Sequence, residues 1–368
     1  MANIETCPPL SRASVEAAAH RIKGKTHQTP VMSSRYIDSL ASTAQARENL
    51  LNSEWNGQEP ACPRLHILFK CENFQKIGAF KPRGAFNAIL RYEEERKKFL
   101  RSSGSESRSL LPIRIISHSS GNHAQAVALA AGELGYEAHI VMPSVSTPAK
   151  IAATRGYGAT VHFSGSTPQE RLAVVDKLMG EEAFENVFVS PYDHPDTLLG
   201  QGTLGLELQD QSKILLPDQD LHGIITPCQG TGIQVFGSEP WFEGADDCRR
   251  GLCEGKRVEV VRSMSIADGL RTPVGEIPWD VISDPENVKG LFSVTEDQIR
   301  DALGLILQQM KIVVEPSSAV PLAVALYNED FRRLIQNECQ VRGLHVYNLG
   351  LVVSGGNFDI LQLSQMLQ

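Results

Sequence analysis

The 368-residue chain has no apolar run approaching the ~18 residues that a membrane helix needs. Its opening stretch, MANIETCPPLSRASVEAAAH, lacks a basic segment followed by an apolar block, so no secretory leader is expected. Positive charge is also scarce. With 35 Lys and Arg against 43 Asp and Glu, the net charge is −8, which gives no basis for nucleic-acid or anionic-membrane partners. The seven cysteines, at positions 7, 62, 71, 228, 248, 253 and 339, form no CxxC pair. Cys248 and Cys253 have no histidines at zinc-ligand spacing, so reduced thiols and a cytosolic location are expected. No internal repeat or low-complexity tail is visible. The composition is that of an ordinary globular protein, 42% hydrophobic and 21% charged, with length enough for two domains or one large one.

Residues 11–24 read as a helix that Ser11 or Ser14 can cap, with alanines inside. Residues 40–64 and 101–110 are polar and aperiodic, and read as surface insertions or loops. From Ile113 an alternation begins. Strand-like IRIISHS is followed by helical GNHAQAVALAAGELG, strand EAHIVMP, helix TPAKIAATRGYG and strand ATVHFSG. Helix TPQERLAVVDKLMGEEA, strand NVFVSP, helix HPDTLLGQGTLGLELQDQ and strand GIITPC continue it, and TEDQIRDALGLILQQM and HVYNLGLVVSGGN repeat the theme. Alternating units with apolar strands predict an α/β fold, its parallel sheet covered on both faces.

Three stretches carry chemistry. In FQKIGAFKPRGAFNAIL, Lys81 lies between Phe80 and Pro82 at a helix start. Apolar neighbours lower an ammonium pKa and leave a nucleophilic amine, as a Schiff-base lysine requires. In SHSSGNHAQA, two serines, a glycine, an asparagine and a histidine fill a strand-to-helix turn, where exposed N–H groups favour an anion such as a carboxylate. In LVVSGGN, Ser354 ends an apolar strand at a turn that permits close backbone approach.

These stretches, with GQGT, GSEPWFEGADD, SIADGLRTPVG and EPSSAV, resemble the fold-type-II pyridoxal-phosphate enzymes, and among them the serine racemase and serine/threonine dehydratase group. The resemblance covers about residues 10–360. It implies a two-domain, tryptophan-synthase-β-like α/β architecture, with residues 1–112 and 193–368 forming the larger domain and 113–192 the smaller. It implies pyridoxal 5'-phosphate on Lys81, with Phe80 against its ring, Asn122 on its 3-hydroxyl, Gly269 beside it and Ser354 at the ring nitrogen. A hydroxyl at that position is not expected to keep the nitrogen protonated, which suits elimination and racemisation. Ser119, Ser120, Asn122, His123 and Arg171 are implied for the amino-acid substrate, with Ser120 as an acid/base on the face opposite Lys81. Glu239, Ala245 and Asp247 match a site for Mg²⁺ or Ca²⁺. A homodimer is expected, and the implied reactions are deamination to a 2-oxo acid plus ammonia, racemisation, or both.

One departure stands out. After GIITPC the family has a glycine run and a helix, whose backbone N–H groups bind the cofactor phosphate. This chain passes from Cys228 through Gln229-Gly230-Thr231-Gly232 straight into IQVFGSEP. So short a link predicts an antiparallel hairpin or a strand left outside the sheet. It also raises the alternative of a catalytically impaired member, a pseudoenzyme or a splice or gene-model variant.

Overall fold

The computed structural model describes residues 4–102, 111–225 and 233–359, together with Leu363 and Met366. In chain order the elements are α1 (Arg12–Arg21), β1 (Val31–Met32), α2 (Arg35–Ala41), β2 (Leu65–Cys71), α3 (Pro82–Ser102), β3 (Ile113–His118) and α4 (Asn122–Glu133). Next come β4 (Glu137–Pro143), α5 (Pro148–Gly156), β5 (Thr160–Ser164), α6 (Pro168–Met179), β6 (Glu185–Phe188), α7 (Pro195–Leu215) and β7 (Gly223–Ile225). The chain ends with β8 (Gln234–Pro240), α8 (Asp247–Glu254), α9 (Glu276–Ile282), β9 (Gly290–Val294), α10 (Glu296–Leu305), α11 (Pro316–Tyr327), α12 (Glu329–Arg342) and β10 (Tyr347–Val353). Several helix starts follow from capping chemistry. Ser11 accepts from the Ser14 N–H to start α1, and Thr167 with Glu170 and Thr295 with Gln298 close capping boxes on α6 and α10.

The chain forms two compact units. One comprises Met1–His27 and Gln75–Thr203, with the parallel sheet β5-β4-β3-β6 and a core including Phe86, Ile115, Val127 and Ile140. The other comprises Gln28–Phe74 and Leu204–Gln368, with the sheet β1-β2-β10-β7-β8-β9 and a core including Phe69, Phe236, Val320 and Leu351. Every pairing in both sheets is parallel except β1 with β2. Helix α11 is buried from Pro316 to Leu326, as expected of a helix that is apolar all round. No helix among the described residues is long and apolar enough to cross a membrane.

The predicted break in the larger sheet is not what its strands show. β7 and β8 are parallel neighbours, Gly223 opposite Gln234 and Ile225 opposite Phe236. The parallel register sets β7 between β10 and β8 with both of its edges paired, which a strand left outside the sheet would forgo. The proposed loss of a glycine loop after Cys228 falls on residues 226–232, outside the described residues.

The polar stretch 40–64 is tied down. Arg332 of α12, with no exposed surface, donates from Nη1 to the carbonyls of Ala41 and Ala325 and from Nη2 to those of Thr43 and Ala61. Glu329 accepts from the Ala61 N–H, and the Arg333 guanidinium stacks 4.3 Å from the Trp55 ring centroid. One buried guanidinium thus supplies the donors that an aperiodic segment's carbonyls need. Replacing Arg332 with Leu leaves those acceptors dry. In urea titration the variant should lose about 3–5 kcal/mol of stability, and residues 43–61 should lose hydrogen-exchange protection first.

Candidate active site

Lys81 is set by backbone geometry before any side-chain contact. Gly78 N–H bonds to Gln75 O at 2.8 Å, closing a turn in which Ile77 sits at φ 60°, ψ 5°. That is a glycine or asparagine position, so a β-branched residue there carries strain of about 1–2 kcal/mol. Pro82 then fixes the first position of α3, and Ala85 N–H bonds to Lys81 O. Helix α3 approaches the start of α7 so closely that a Cβ on Gly200 would lie 2.4 Å from Arg83 O and 2.8 Å from Gly84 Cα. The lysine Nζ donates to Pro191 O at 2.9 Å and lies 4.9 Å from the Phe80 ring centroid.

The SSGNH turn follows β3. Ser119 N–H donates to Val141 O, and Ser119 Oγ accepts from Gly121 N–H at 3.2 Å. A Cβ placed on Gly121 would meet nothing within 4 Å, so the approach to the α4 N-terminus is open. Ser120 is half-buried and makes no hydrogen bond among the described residues, and Asn122 opens α4. His123 is buried, its Nε2 donating to Val189 O at 3.3 Å while Nδ1 has no partner among the described residues. Burial first, then the charge of Lys81, pushes its pKa down to about 3. His118 is likewise lowered to about 4 by burial and by the charge of Arg171. Arg171, on the first turn of α6, has a buried Nε without a hydrogen-bond partner among the described residues.

Lys81, Phe80, residues 119–123 and Arg171 therefore belong to one unit, as do His118 and the carbonyls of Val189 and Pro191. Sequence reading missed these last three: a carbonyl has no residue signature, although the VSP after β6 marks where the chain turns. A neutral His123 whose Nε2–H is spent on Val189 offers only a lone pair, so its imidazole is not a carboxylate donor. Its backbone N–H, in the first turn of α4, can be.

Within the other unit, Ser354 follows β10 and lies 3.0 Å from Ser318 Oγ. Ser317 Oγ accepts from Gly269 N–H at 3.0 Å, so Gly269 is bound to the start of α11. Glu239 ends β8, its two oxygens accepting from the N–H groups of Cys248 and Arg249 at 3.0 and 2.9 Å. Asp247 opens α8 and accepts from Val274 N–H, and Ala245 is buried between them in sequence. Burial, aided by the mutual repulsion of nearby carboxylates, raises Glu239 to about 8, and burial raises Asp247. Asp246 instead pairs with Arg249 and Arg250. Elsewhere, Cys7, His194 and Asp196 cluster, but His194 Nδ1 accepts from Asp196 N–H. That leaves the proton on Nε2, which faces Cys7 Sγ at 3.9 Å, an arrangement of hydrogen bonds and not of metal ligands.

A primary amine beside an aromatic ring, an open helix N-terminus and unpartnered buried polar atoms make a setting that a pyridoxal phosphate group and an amino acid fit. Residues 42–338 match the model of the pyridoxal-phosphate dependent enzymes, and the chain belongs to that family. It is 32% identical to serine racemase of Dictyostelium discoideum, covering 99% of this chain and 100% of that protein. It is 33% identical to L-threo-3-hydroxyaspartate ammonia-lyase of a Pseudomonas species, covering 95% and 96%. Among solved structures, maize serine racemase aligns with a TM-score of 0.74 at 32% identity, over 96% of this chain and 95% of that one.

The two lowered histidines set a pH dependence. Unfolded imidazoles titrate near 6.5, so above that pH both states are neutral. As pH falls, the unfolded chain takes up protons first, and stability drains until the folded values near 4 and 3 are reached. Unfolding free energy should fall between pH 6.5 and 4 by on the order of 1 kcal/mol per pH unit per imidazole. Denaturant titrations of His118→Gln and His123→Gln should show a shallower decline than the parent.

Proposed function

We propose that the chain is a pyridoxal-phosphate dependent lyase or isomerase acting on serine, threonine or a related 3-hydroxy amino acid. The observation that carries this reading is the Lys81 amine, seated between the Phe80 ring and Pro191 O in a member of that enzyme family. The names of its relatives, serine racemase and 3-hydroxyaspartate ammonia-lyase, support the substrate class. Lys81 would hold the cofactor, with Phe80, Asn122, Gly269 and Ser354 as its other contacts. When bound, the cofactor supplies an electron sink that lets a Cα–H bond ionise.

The chain's own groups do the rest. Ser119, Ser120, Asn122 and the α4 N-terminus bind the substrate carboxylate, helped by the helix dipole. Arg171 adds positive charge beside His118. Lys81 Nζ takes the α-proton on one face and Ser120 Oγ serves the other. Return of a proton to the opposite face inverts the centre. Departure of the β-hydroxyl with an acid's proton, then hydrolysis, gives a 2-oxo acid and ammonia. Low histidine pKa values keep competing positive charge away from Lys81. Residues 113–192, proposed as the smaller domain, hold the four-stranded sheet and the carboxylate loop. A homodimer and a cytosolic location, the latter motivated by free thiols such as Cys62 and Cys253, complete the proposal.

Borohydride reduction and peptide mapping should find the cofactor adduct on Lys81, and Lys81→Ala should abolish it. Ser120→Ala should lower turnover of L-serine, L-threonine or 3-hydroxyaspartate by about 10²- to 10⁴-fold, read as ammonia or D-amino acid formed. No adduct on Lys81 sinks the reading.

The impaired-member alternative draws on the short link between β7 and β8. Three lost phosphate donors at ~1.5 kcal/mol each would weaken cofactor binding by about three decades. Inserting a glycine loop and helix after Cys228 should then tighten it.

Glu239, half-buried, and Asp247, buried, both raised and neither in an ion pair among the described residues, fit Mg²⁺ or Ca²⁺ with the Ala245 carbonyl and water. The ion would supply the charge that these carboxylates lack. At a hundred times its Kd it should raise unfolding free energy by about 2.7 kcal/mol, and Glu239→Gln should cancel the effect. A flat thermal response to both cations would remove the ion from the proposal.

A further inference from the structure

His139 of β4 and His162 of β5 lie on one face of the four-stranded sheet, and neither enters the proposed reaction. In the parallel register His162 lies opposite Val141, two residues past His139, so both side chains point the same way. His139 Nδ1 is 2.9 Å from His162 Nε2, while the ring centroids are 5.0 Å apart and the planes differ by 22°. With the centroids so much farther apart than the nitrogens, those two nitrogens face each other between the rings, across a single hydrogen. On its other side His139 Nε2 faces Glu137 Oε2 at 3.6 Å, and a carboxylate favours the ring proton there. Nδ1 then keeps its lone pair and accepts from His162 Nε2–H. Burial first, then the charge of Arg114, lowers the pKa of both imidazoles and keeps them neutral near pH 7. Arg114 Nη1 donates to Glu181 at 2.7 Å, so with Glu137 one cation stands against two carboxylates.

We propose that His139 and His162 bind a borderline divalent ion such as Zn²⁺ through Nδ1 and Nε2, with Glu137 steadying the outer His139 proton and water completing the shell. Neutral imidazoles suit such an ion, whereas Mg²⁺ and Ca²⁺ prefer oxygen. Two nitrogens bound to a tetrahedral zinc at about 2.0–2.1 Å stand about 3.3 Å apart. The 2.9 Å gap therefore has to open by only about 0.4 Å as the rings turn toward the ion. The shared hydrogen leaves the gap by exchange through water, from His162 Nε2 to the Nδ1 of the same ring. Binding to the neutral pair thus releases no net proton. A carboxylate behind a metal-bound imidazole fixes its tautomer, and Glu137 occupies that position. Both histidines are half-buried and β5 is the outer strand of its sheet, which gives ion and water a way in. Once bound, the ion clips edge strand β5 to β4.

The test titrates Zn²⁺ by calorimetry into the full chain after treatment with a chelator. His139→Gln and His162→Gln should each weaken binding by about 100-fold or more, and Glu137→Gln, which removes only the outer charge, by about tenfold. Cys7→Ser, which disables the other thiol and imidazole cluster, should leave the affinity unchanged. Long-range ¹H–¹⁵N spectra of the ¹⁵N-histidine parent give a readout that needs no variant to fold: zinc should shift one Nδ1 and one Nε2. A parent that binds no Zn²⁺ at about 100 µM, a weak site on the affinity scale, overturns the inference. So does zinc that leaves every imidazole nitrogen in place, or that binds both histidine variants as it binds the parent. No step involves pyridoxal phosphate, so this result and the borohydride result on Lys81 stand or fall separately.

Discussion

Parallel pairing is the constraint from which the arrangement follows. In a parallel ladder every strand points the same way, so every strand-to-helix turn opens at the same edge of its sheet. In the four-stranded sheet that edge receives the SSGNH turn after β3 and the Val189–Pro191 turn after β6. In the six-stranded sheet it receives Ser354 after β10 and Glu239 at the end of β8. Helix α4 starts at the first set, and α8 and α11 start beside the second, so unpaired N–H groups collect where polar side chains already stand.

Within that frame, neutrality is managed as carefully as charge. His123 is buried next to a lysine and remains uncharged, its one proton held by Val189 O. An imidazolium there would repel the Lys81 ammonium, so the desolvation of one group spares the other a like-charged neighbour. Lys70 shows the opposite solution in the other unit. It has no exposed surface, yet Thr29 O, Glu207 and Gln211 each accept from its Nζ at 2.8 Å, so its charge is fully matched.

Much of this was legible because apolar periodicity and residue chemistry are written in side chains. The alternation after Ile113, the lysine between Phe80 and Pro82 and the SSGNH turn all stand where the sequence suggested. What stayed hidden was carried by backbone. Neither the carbonyls that anchor Lys81 and His123 nor the four that surround Arg332 have any signature in the residues that own them. Strand β2 precedes the regular alternation and pairs with β10, nearly 300 positions on by sequence number, so no local pattern predicted it. The parallel course of β7 and β8 was misread for a related reason. The short link in sequence argued for a hairpin, whereas the parallel neighbours on either side, β10 and β9, share the direction of both strands.

The two units end up offering opposite hydrogen-bond polarity. In the unit that holds Lys81 the groups beside the four-stranded sheet are donors: the amine, bonded to Pro191 O, the Arg171 guanidinium and the N–H groups that begin α4. At the start of α11 the donors are consumed internally, Gly269 N–H by Ser317 and Gly355 N–H by Ser318. Near the end of β8 and at the start of α8, Glu239 and Asp247 bring two carboxylates, neither in an ion pair among the described residues. The two serines in the first turn of α11 are thus engaged by amides of neighbouring loops. The polarity of each half therefore depends on whether nearby hydroxyls leave the loop amides beside a helix start open or close them.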